Sequence, residues 1–179
     1  GSEMCIRDSP YTIRISDGDP VTLENVMIGE VWVCSGQSNM EMPLRGFDSQ
    51  PVHGALDAAM QAGGYPGIRL FHVARATASE PQQDCTGSWE VSSMRSASGF
   101  SAVGYYFGLW LHRALGIPVG LIESAWGATR IEAWMPEATA REVEADIVQT
   151  NDRFENPNKV GYLYNAMIRP LLNMTARGF

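Results

Sequence analysis

Short apolar runs separated by a helical spacing are the clearest feature of the hydrophobic pattern along the chain. Residues 31–34 and 119–122 form continuous apolar runs, and residues 68–73 predict a further strand between them. Runs of this length are typical of strands covered on both faces, as in a parallel sheet. Before the last run, five apolar residues at spacings of three and four predict a helix that buries this face. They are Phe100, Val103, Phe107, Leu111 and Leu115.

The remaining pattern predicts a hairpin near the start of the chain and helices between and after the strands. The extended segments of this hairpin are residues 11–15 and 21–27, around turn residues rich in Gly, Asp and Pro. Helices are predicted at 55–62 and 137–150, partly helical structure at 162–172, and irregular polar structure at 74–98. The recurrence of strand and helix favours an α/β fold with a parallel sheet.

The composition fits one globular domain and excludes several classes of partner. The 179 residues are 45% hydrophobic and 18% charged, which is too apolar for intrinsic disorder. No apolar run reaches the roughly 18 residues that a membrane-spanning helix needs. Thirteen Lys and Arg against 20 Asp and Glu give a net charge of -7, so the chain lacks the cations that neutralise phosphates. We therefore expect neither nucleic acid nor a membrane as a partner.

A serine in the turn after the first apolar run is the first candidate for chemistry. Ser38 follows the run 31–34 directly, where a strand would give way to a helix. In such a turn the hydroxyl is exposed and nearby backbone N–H groups point outward, as an acyl-transfer nucleophile requires. The turn is not a G-x-S-x-G elbow, because Met40 stands at its last position. On local evidence alone the alternative, that Ser38 caps the helix, is favoured.

The turn after the third strand is the second candidate. Gly127 lies where ligands bind in open parallel sheets, and a small residue there lets a backbone N–H approach a ligand. The alternative is an ordinary strand-to-loop turn. Arg130 and Glu132 follow, as a possible substrate contact or, more simply, a solvated ion pair.

The three histidines and three cysteines offer no evident base or metal site. A serine nucleophile is usually served by a histidine, and only His53, in a loop near the Ser38 turn, is a local substitute. His112 and His72 are expected to be structural, in a helix and a strand. No Asp precedes a His by three residues, no metal-ligand spacing is present, and Cys34 is expected to be a buried thiol.

Several ordered stretches resemble one known family. VWVCSGQSNME at residues 31–41 resembles the first block of the sialate O-acetylesterases, SGNH-type carbohydrate esterases related to certain acetylxylan esterases. Further stretches resemble that family in the same order, so that the resemblance spans about residues 10–179. They are FSAVGYYFG at 100–108, LGIPVGLI at 115–122, SAWGATRIEAWMP at 124–136 and YNAMIRPL at 164–171.

The resemblance implies a fold and a set of site residues. The fold is an SGNH-hydrolase-like, flavodoxin-like three-layer α/β/α arrangement with a parallel sheet, incomplete at the C-terminus. Ser38 matches the nucleophile and outweighs the capping interpretation, while the N–H groups of Ser38 and Gly127 match two oxyanion-hole donors. Gln37 and Asn39 match flanking positions that brace the turn. The family often has two glycines where this chain has Gly127-Ala128. The substrate is an O-acetylated sugar or glycan, and no cofactor or metal is implied.

The resemblance also divides the chain. Residues 1–9 are expected to be a non-native leader, 10–27 the last hairpin of a preceding β-sandwich domain, and 28–179 a truncated esterase domain. The third-block donor and the Asp and His of the D-x-x-H block would follow residue 179. We therefore expect the chain alone to be inactive or nearly so, and to self-associate through an uncovered sheet edge. The parent is expected to be secreted or periplasmic.

Three alternatives remain open from the sequence. Trp89, Trp126 and Trp134 suit a non-catalytic carbohydrate-binding module, in which aromatic rings stack on sugars, although large aromatics usually pack in cores. The parent enzyme is alternatively an acetylxylan esterase. Finally, His53 is a substitute base if the chain itself is active.

Overall fold

A computed structural model describes residues 9–143 and 155–179 of the chain. These residues contain six strands and five α-helices. The strands are β1 (Tyr11–Ile15), β2 (Val21–Val26), β3 (Glu30–Gly36), β4 (Ile68–His72), β5 (Trp89–Val91) and β6 (Val119–Ala125). The helices are α1 (Ser38–Glu41), α2 (Ala55–Gln61), α3 (Met94–Gly99), α4 (Ala102–Leu115) and α5 (Glu137–Val143). Short 3-10 helices lie at Ala62–Gly64, Ile131–Trp134 and Arg169–Asn173, with a π-helical turn at Tyr164–Ile168.

The central sheet has the strand order β3-β6-β4-β5. β6 pairs in parallel with both β3 and β4, so three parallel strands end at one edge of the sheet. β5 pairs with β4 in the antiparallel direction, so the sheet is mixed but mostly parallel. The α/β architecture itself is confirmed.

The segment predicted to be irregular, residues 74–98, contains both β5 and most of α3. β5 is only three residues long and exposed, too short for any periodic signal. α3 begins at a capping box in which Ser93 and Ser96 each hydrogen-bond the other's backbone N–H. Its sequence carries few apolar residues, so hydrophobic periodicity did not reveal it.

The first hairpin is confirmed and forms a sheet of its own. β1 and β2 pair antiparallel, with Ile13 opposite Leu23 and Ile15 opposite Val21. All four side chains are exposed, so this sheet covers little of the core. Its assignment, with residues 10–27, to a preceding domain stays a prediction, and residues 1–8 of the expected leader lie outside the described residues.

Both faces of the central sheet are covered, which gives three layers. Neighbouring residues of β6 separate the two cores: Leu121 faces α4 and Ile122 faces the segment that contains the π-helical turn. The first core also contains Ile68, Leu70, Val119, Tyr105 and Leu109. The second contains Val73, Ala133, Leu163, Ala166 and Met167.

The helix α4 and its end at Gly116 are confirmed, but its predicted apolar face is wrong at three of five positions. Phe100, just before the helix, is buried, and Leu111 packs against the first core, as expected. Val103, Phe107 and Leu115 are exposed, while Tyr105 and Leu109 are buried. The helix instead packs through glycines: a Cβ on Gly108 would lie 2.5 Å from Leu121 Cδ1, and one on Gly104 would lie 3.0 Å from Cys34 Sγ. The absence of side chains brings the helix so close to the sheet that the larger apolar residues remain outside.

The C-terminal segments complete the second layer. α5 covers only the first half of the helix predicted at 137–150, and the remainder lies outside the described residues. The partly helical structure predicted at 162–172 is confirmed as the π-helical turn and the following 3-10 helix. Arg177 N–H then donates to Val31 O at 2.7 Å and Val33 N–H donates to Gly178 O at 3.0 Å, which begins a parallel pairing with β3.

Within residues 9–143 and 155–179, no helix has the length and apolar character needed to cross a membrane.

Candidate active site

The candidate site lies where β3 and β6 end side by side. The two strands pair residue by residue as far as Gly36 and Ala125, so the turns that follow leave the sheet at the same level. Trp126 N–H donates to Gly36 O at 3.1 Å and holds the turns together. The two candidate turns of the sequence, 89 residues apart at Ser38 and Gly127, are therefore neighbours.

Ser38 is the first residue of α1 and lies exposed at this edge. Its hydroxyl donates to Gln37 Oε1 at 2.8 Å, and its backbone N–H donates to the same oxygen at 3.1 Å. Gln37, not Ser38, is therefore the cap of α1, and the capping interpretation of Ser38 is wrong. Ala128 N–H points at Ser38 Oγ from the other turn, at 3.4 Å. The hydroxyl is thus positioned at the surface between two turns.

Gly127 packs directly against Ser38 and leaves no room for a side chain. A Cβ there would lie 2.7 Å from Glu41 Oε2 and 3.2 Å from Ser38 Oγ. Its N–H donates to Glu41 Oε2 at 2.7 Å, a short bond to a charged acceptor. Glycine is required here for the close approach of the two turns.

Glu41 and Arg75 are site residues that the sequence analysis missed. Arg75 follows β4 and donates through Nε to Glu41 Oε1 at 2.9 Å, with its Nη2 on the same oxygen. The guanidinium carbon also lies 5.1 Å from the centroid of the Trp126 ring, a cation–π contact. Two signals were available: Glu41 is three residues after Ser38 on one helical face, and Arg75 follows the end of a parallel strand.

Hydrogen bonds among its own residues and Trp134 stabilise the turn after β6. Thr129 Oγ1 donates to Trp126 O at 2.6 Å and accepts from Trp134 Nε1 at 2.9 Å. Ala128 has a φ of 59°, a left-handed conformation that glycine adopts more easily than alanine. Alanine thus stands, where the resembling family often has a second glycine, at a position whose conformation favours glycine.

Arg130 is turned toward Glu132. Its Nε donates to Glu132 Oε2 at 2.8 Å, and the side chains are only 20% and 25% exposed, so the pair is not the solvated one expected. The hydrogen bond from Arg130 lowers the pKa of the Glu132 carboxyl. Arg130 N–H also donates to Asn158 Oδ1 at 2.8 Å, which links this turn to the next loop.

A histidine at the end of β4 is paired with a buried carboxylate on the neighbouring strand β6. His72 Nδ1 donates to Glu123 Oε2 at 3.2 Å, and this hydrogen bond raises the pKa of the half-exposed imidazole. Glu123 is 1% exposed and also accepts from Ser101 N–H at 2.8 Å. The hydrogen bonds from His72 and Ser101 therefore stabilise this carboxylate in the interior. His72 and Arg95 are among the residues that line a cleft of about 290 Å³. No pattern in the sequence indicates this pairing beyond the strand positions themselves.

The other predicted residues lie apart from these contacts. His53 accepts a hydrogen bond from Tyr106 Oη through its carbonyl at 3.0 Å, and within the described residues no hydrogen bond joins it to Ser38. His112 is structural, as expected: its Nδ1 donates to Ile117 O at 2.6 Å and its ring packs edge-on against Tyr65. Asn39 is exposed and, among the described residues, makes no side-chain hydrogen bond to the turn.

The tryptophans do not share one platform. Trp89 stands half-exposed on β5 and contacts Phe71 edge-on, with ring centroids 5.4 Å apart. Trp126 and Trp134 pack against the second core. This packing matches the ordinary use of large aromatics and gives no support to the carbohydrate-binding module.

The described residues hold no metal centre, and Cys34 is inert. Over residues 9–143 and 155–179 no three His, Cys, Asp or Glu side chains are grouped to hold a metal ion. The Cys34 thiol is 6% exposed, and burial together with the nearby Glu123 raises its pKa to about 11.

Known proteins match this chain over most of its residues. It is 33% identical over 181 residues to the sialate O-acetylesterases of Pongo abelii and Homo sapiens, covering 94% of this chain and 32% of each relative. A crystal structure of a carbohydrate acetylesterase from Xanthomonas citri superposes with a TM-score of 0.80 at 32% identity, over 94% of this chain and 35% of that one. No family model matches the chain.

The chain thus spans about a third of the length of the curated relatives that it matches. Its α/β fold and the placement of Ser38 and Gly127 at adjoining strand ends agree with the resemblance in the sequence. On these matches the chain belongs to the sialate O-acetylesterase family of carbohydrate esterases.

Proposed function

We propose that residues 28–179 are the nucleophile-bearing part of a carbohydrate O-acetylesterase domain, in which Ser38 attacks the acetyl carbonyl. One observation carries the proposal: the exposed Ser38 hydroxyl lies between Gln37 and the amide of Ala128, at the edge where parallel strands end. Ligands bind at this edge in open α/β sheets. The substrate class is an acetyl ester on a sugar, the level that the names of the relatives share.

The reaction has two steps. Ser38 Oγ bonds to the acetyl carbon, its proton passes to a base, and the carbonyl oxygen becomes an oxyanion that backbone N–H groups stabilise. Collapse of this intermediate breaks the bond between the acetyl carbon and the sugar oxygen, which takes the proton from the base and leaves as the sugar hydroxyl, so that acetyl-Ser38 remains. Water then attacks the acetyl group, acetate is released and the hydroxyl of Ser38 is restored.

None of the histidines that the structure describes is positioned as a base for Ser38. Among the described residues no histidine is hydrogen-bonded to Ser38: His72 is engaged with Glu123, and His53 contacts Tyr106. The resemblance implies an Asp and a His in a D-x-x-H block that these 179 residues do not contain. We therefore propose that the chain alone is inactive or nearly so.

Acetate release from p-nitrophenyl acetate and from an O-acetylated sugar tests the proposal. The chain should release little, whereas a longer form carrying a D-x-x-H block should release acetate and lose this activity in Ser38→Ala. Activity of the longer form that survives Ser38→Ala would overturn the nucleophile assignment. Activity of the 179-residue chain that is lost in His53→Ala would show instead that His53 serves as the base.

A further inference from the structure

We infer that the oxyanion donor of the turn after β6 is the N–H of Ala128, not that of Gly127, and that Glu41 is a positioning residue that makes this choice. The inference rests on the proposed function, since it concerns the oxygen that becomes charged when Ser38 attacks. It departs from the resemblance, which matches Gly127 to this donor.

The Gly127 N–H is already committed. It donates to Glu41 Oε2 at 2.7 Å, and the Glu41 side chain is only 13% exposed. A hydrogen bond to a carboxylate is about twice as strong as one between neutral groups. Arg75 holds the other oxygen of the same carboxylate, so Glu41 cannot rotate away without also breaking its ion pair. A substrate carbonyl is a weaker acceptor than the group that it would have to displace.

The Ala128 N–H, in contrast, faces the reacting atom. It lies 3.4 Å from Ser38 Oγ, a long and weak hydrogen bond that an oxygen attached to the same carbon as Oγ would readily replace. An oxyanion-hole donor must point at this position next to the nucleophile. The left-handed φ of 59° at Ala128 costs a non-glycine residue free energy, and conformations of this kind persist at functional sites.

The second donor in the resemblance is the Ser38 N–H, and its partner is easily displaced. It donates to the side-chain oxygen of Gln37 at 3.1 Å, and this neutral, exposed amide is free to rotate into solvent. The two candidate donors therefore differ in kind. Gln37 shields the Ser38 N–H until a substrate arrives, whereas Glu41 removes the Gly127 N–H from use.

Glu41 acts through the backbone of the turn. Its carboxylate joins α1, the segment after β4 and the turn after β6, through its own helix, Arg75 and Gly127. The Gly127 N–H and the Ala128 N–H belong to successive peptide groups, so a bond that anchors the first to Glu41 narrows the orientations open to the second, which directs the Ala128 N–H toward Ser38. Glu41 does not touch the reacting atoms in this arrangement.

Amide NMR of the 179-residue chain, titrated with sodium acetate against matched sodium chloride, tests this without any turnover. Acetate is the product, and its carboxylate oxygen is a probe for the oxyanion position. We expect the Ser38 and Ala128 amide signals to shift along one saturation curve while the Gly127 signal stays in place. The Gly127 amide proton should resonate far downfield and move upfield in Glu41→Gln.

Glu41→Ala supplies the crossed test, since it releases the Gly127 N–H, which should then also shift with acetate. If that variant does not fold, Glu41→Gln and the wild-type titration still decide the question. A shift of Gly127 in the wild-type chain, or no shift at Ala128, overturns the inference. A shift at Ser38 without one at Ala128 refutes the donor assignment alone, while acetate release from the ester reports separately on the proposed function.

Discussion

The imidazole of His72 donates to the buried carboxylate of Glu123 across adjacent parallel strands, at 3.2 Å. The half-exposed ring connects the interior of the sheet with the surface, while Ser101 N–H holds the carboxylate from the side of α4. Glu41 and Arg75 also face the ring, and they raise and lower its pKa respectively. This group of charges makes the stability of the fold sensitive to pH.

We predict that His72 stabilises the fold at mildly acidic pH more than at alkaline pH. Its pKa is raised in the folded chain, so the contribution is fully present below its unfolded pKa of about 6.5 and is lost as the pH rises through the folded pKa. Urea unfolding of wild type and His72→Asn should differ more below about pH 6 than above about pH 8. A difference that is constant with pH contradicts the prediction. His53→Asn is the control, because its ring has no carboxylate partner among the described residues.

Gly127→Ala should destabilise the chain by about 1–3 kcal/mol, the usual cost of overpacking a tight contact. The new Cβ would lie 2.7 Å from Glu41 Oε2 and would break the bond between the two turns. Thermal and urea unfolding measure the loss. Gly63→Ala is the matched control, since a Cβ there has nothing within 4 Å, and it should change stability by no more than about 0.5 kcal/mol.

Gly108→Ala should cost more than Val103→Ala, although both positions lie on α4. A Cβ on Gly108 would meet Leu121, which is fully buried and has no space to move, so we expect a loss of about 1–3 kcal/mol. Val103 is exposed, and its truncation should stay within about 0.5 kcal/mol. Equilibrium unfolding of the two variants decides which face of α4 packs on the sheet, and the opposite ranking would restore the face predicted from periodicity.

The purified chain should associate as its concentration rises. The outward face of α4 exposes Val103, Phe107, Trp110 and Leu115, with Trp110 70% exposed, and such apolar patches favour association. Sedimentation velocity over a concentration series should show a rising sedimentation coefficient, reduced in Trp110→Lys. A monomer at every concentration, with a cooperative transition at high temperature, contradicts this expectation and the sheet-edge association proposed from the sequence.

The strands and the location of the site followed from the sequence because each depends on local pattern. The apolar runs at 31–34 and 119–122 mark β3 and β6 within a few residues, and parallel pairing then brings the turns at Ser38 and Gly127 together. The strands need only the periodicity of the chain and the rule that parallel strands end at one edge, whereas the choice of Ser38 as nucleophile rather than helix cap depended on the family resemblance.

Other features depend on contacts between distant residues and left no such signal. The bond from Gly127 N–H to Glu41 joins residues 86 positions apart, and no local pattern indicates it. The packing of α4 through Gly104 and Gly108 is invisible to a hydrophobic scale, which ranks glycine as indifferent. Arg130, expected in solvent, is largely covered together with Glu132.

The pairing of Gly36 opposite Ala125 also makes the site depend on the register between β3 and β6. A shift of one residue in the register between β3 and β6 moves one turn past the other by about 3.3 Å, which is more than the usual distance between the donor and the acceptor of a hydrogen bond. Ser38 would then face a different peptide group, although every residue of the site would still be present. In a longer form that carries the D-x-x-H block, a single-residue deletion inside β6 should therefore abolish acetate release as completely as Ser38→Ala does.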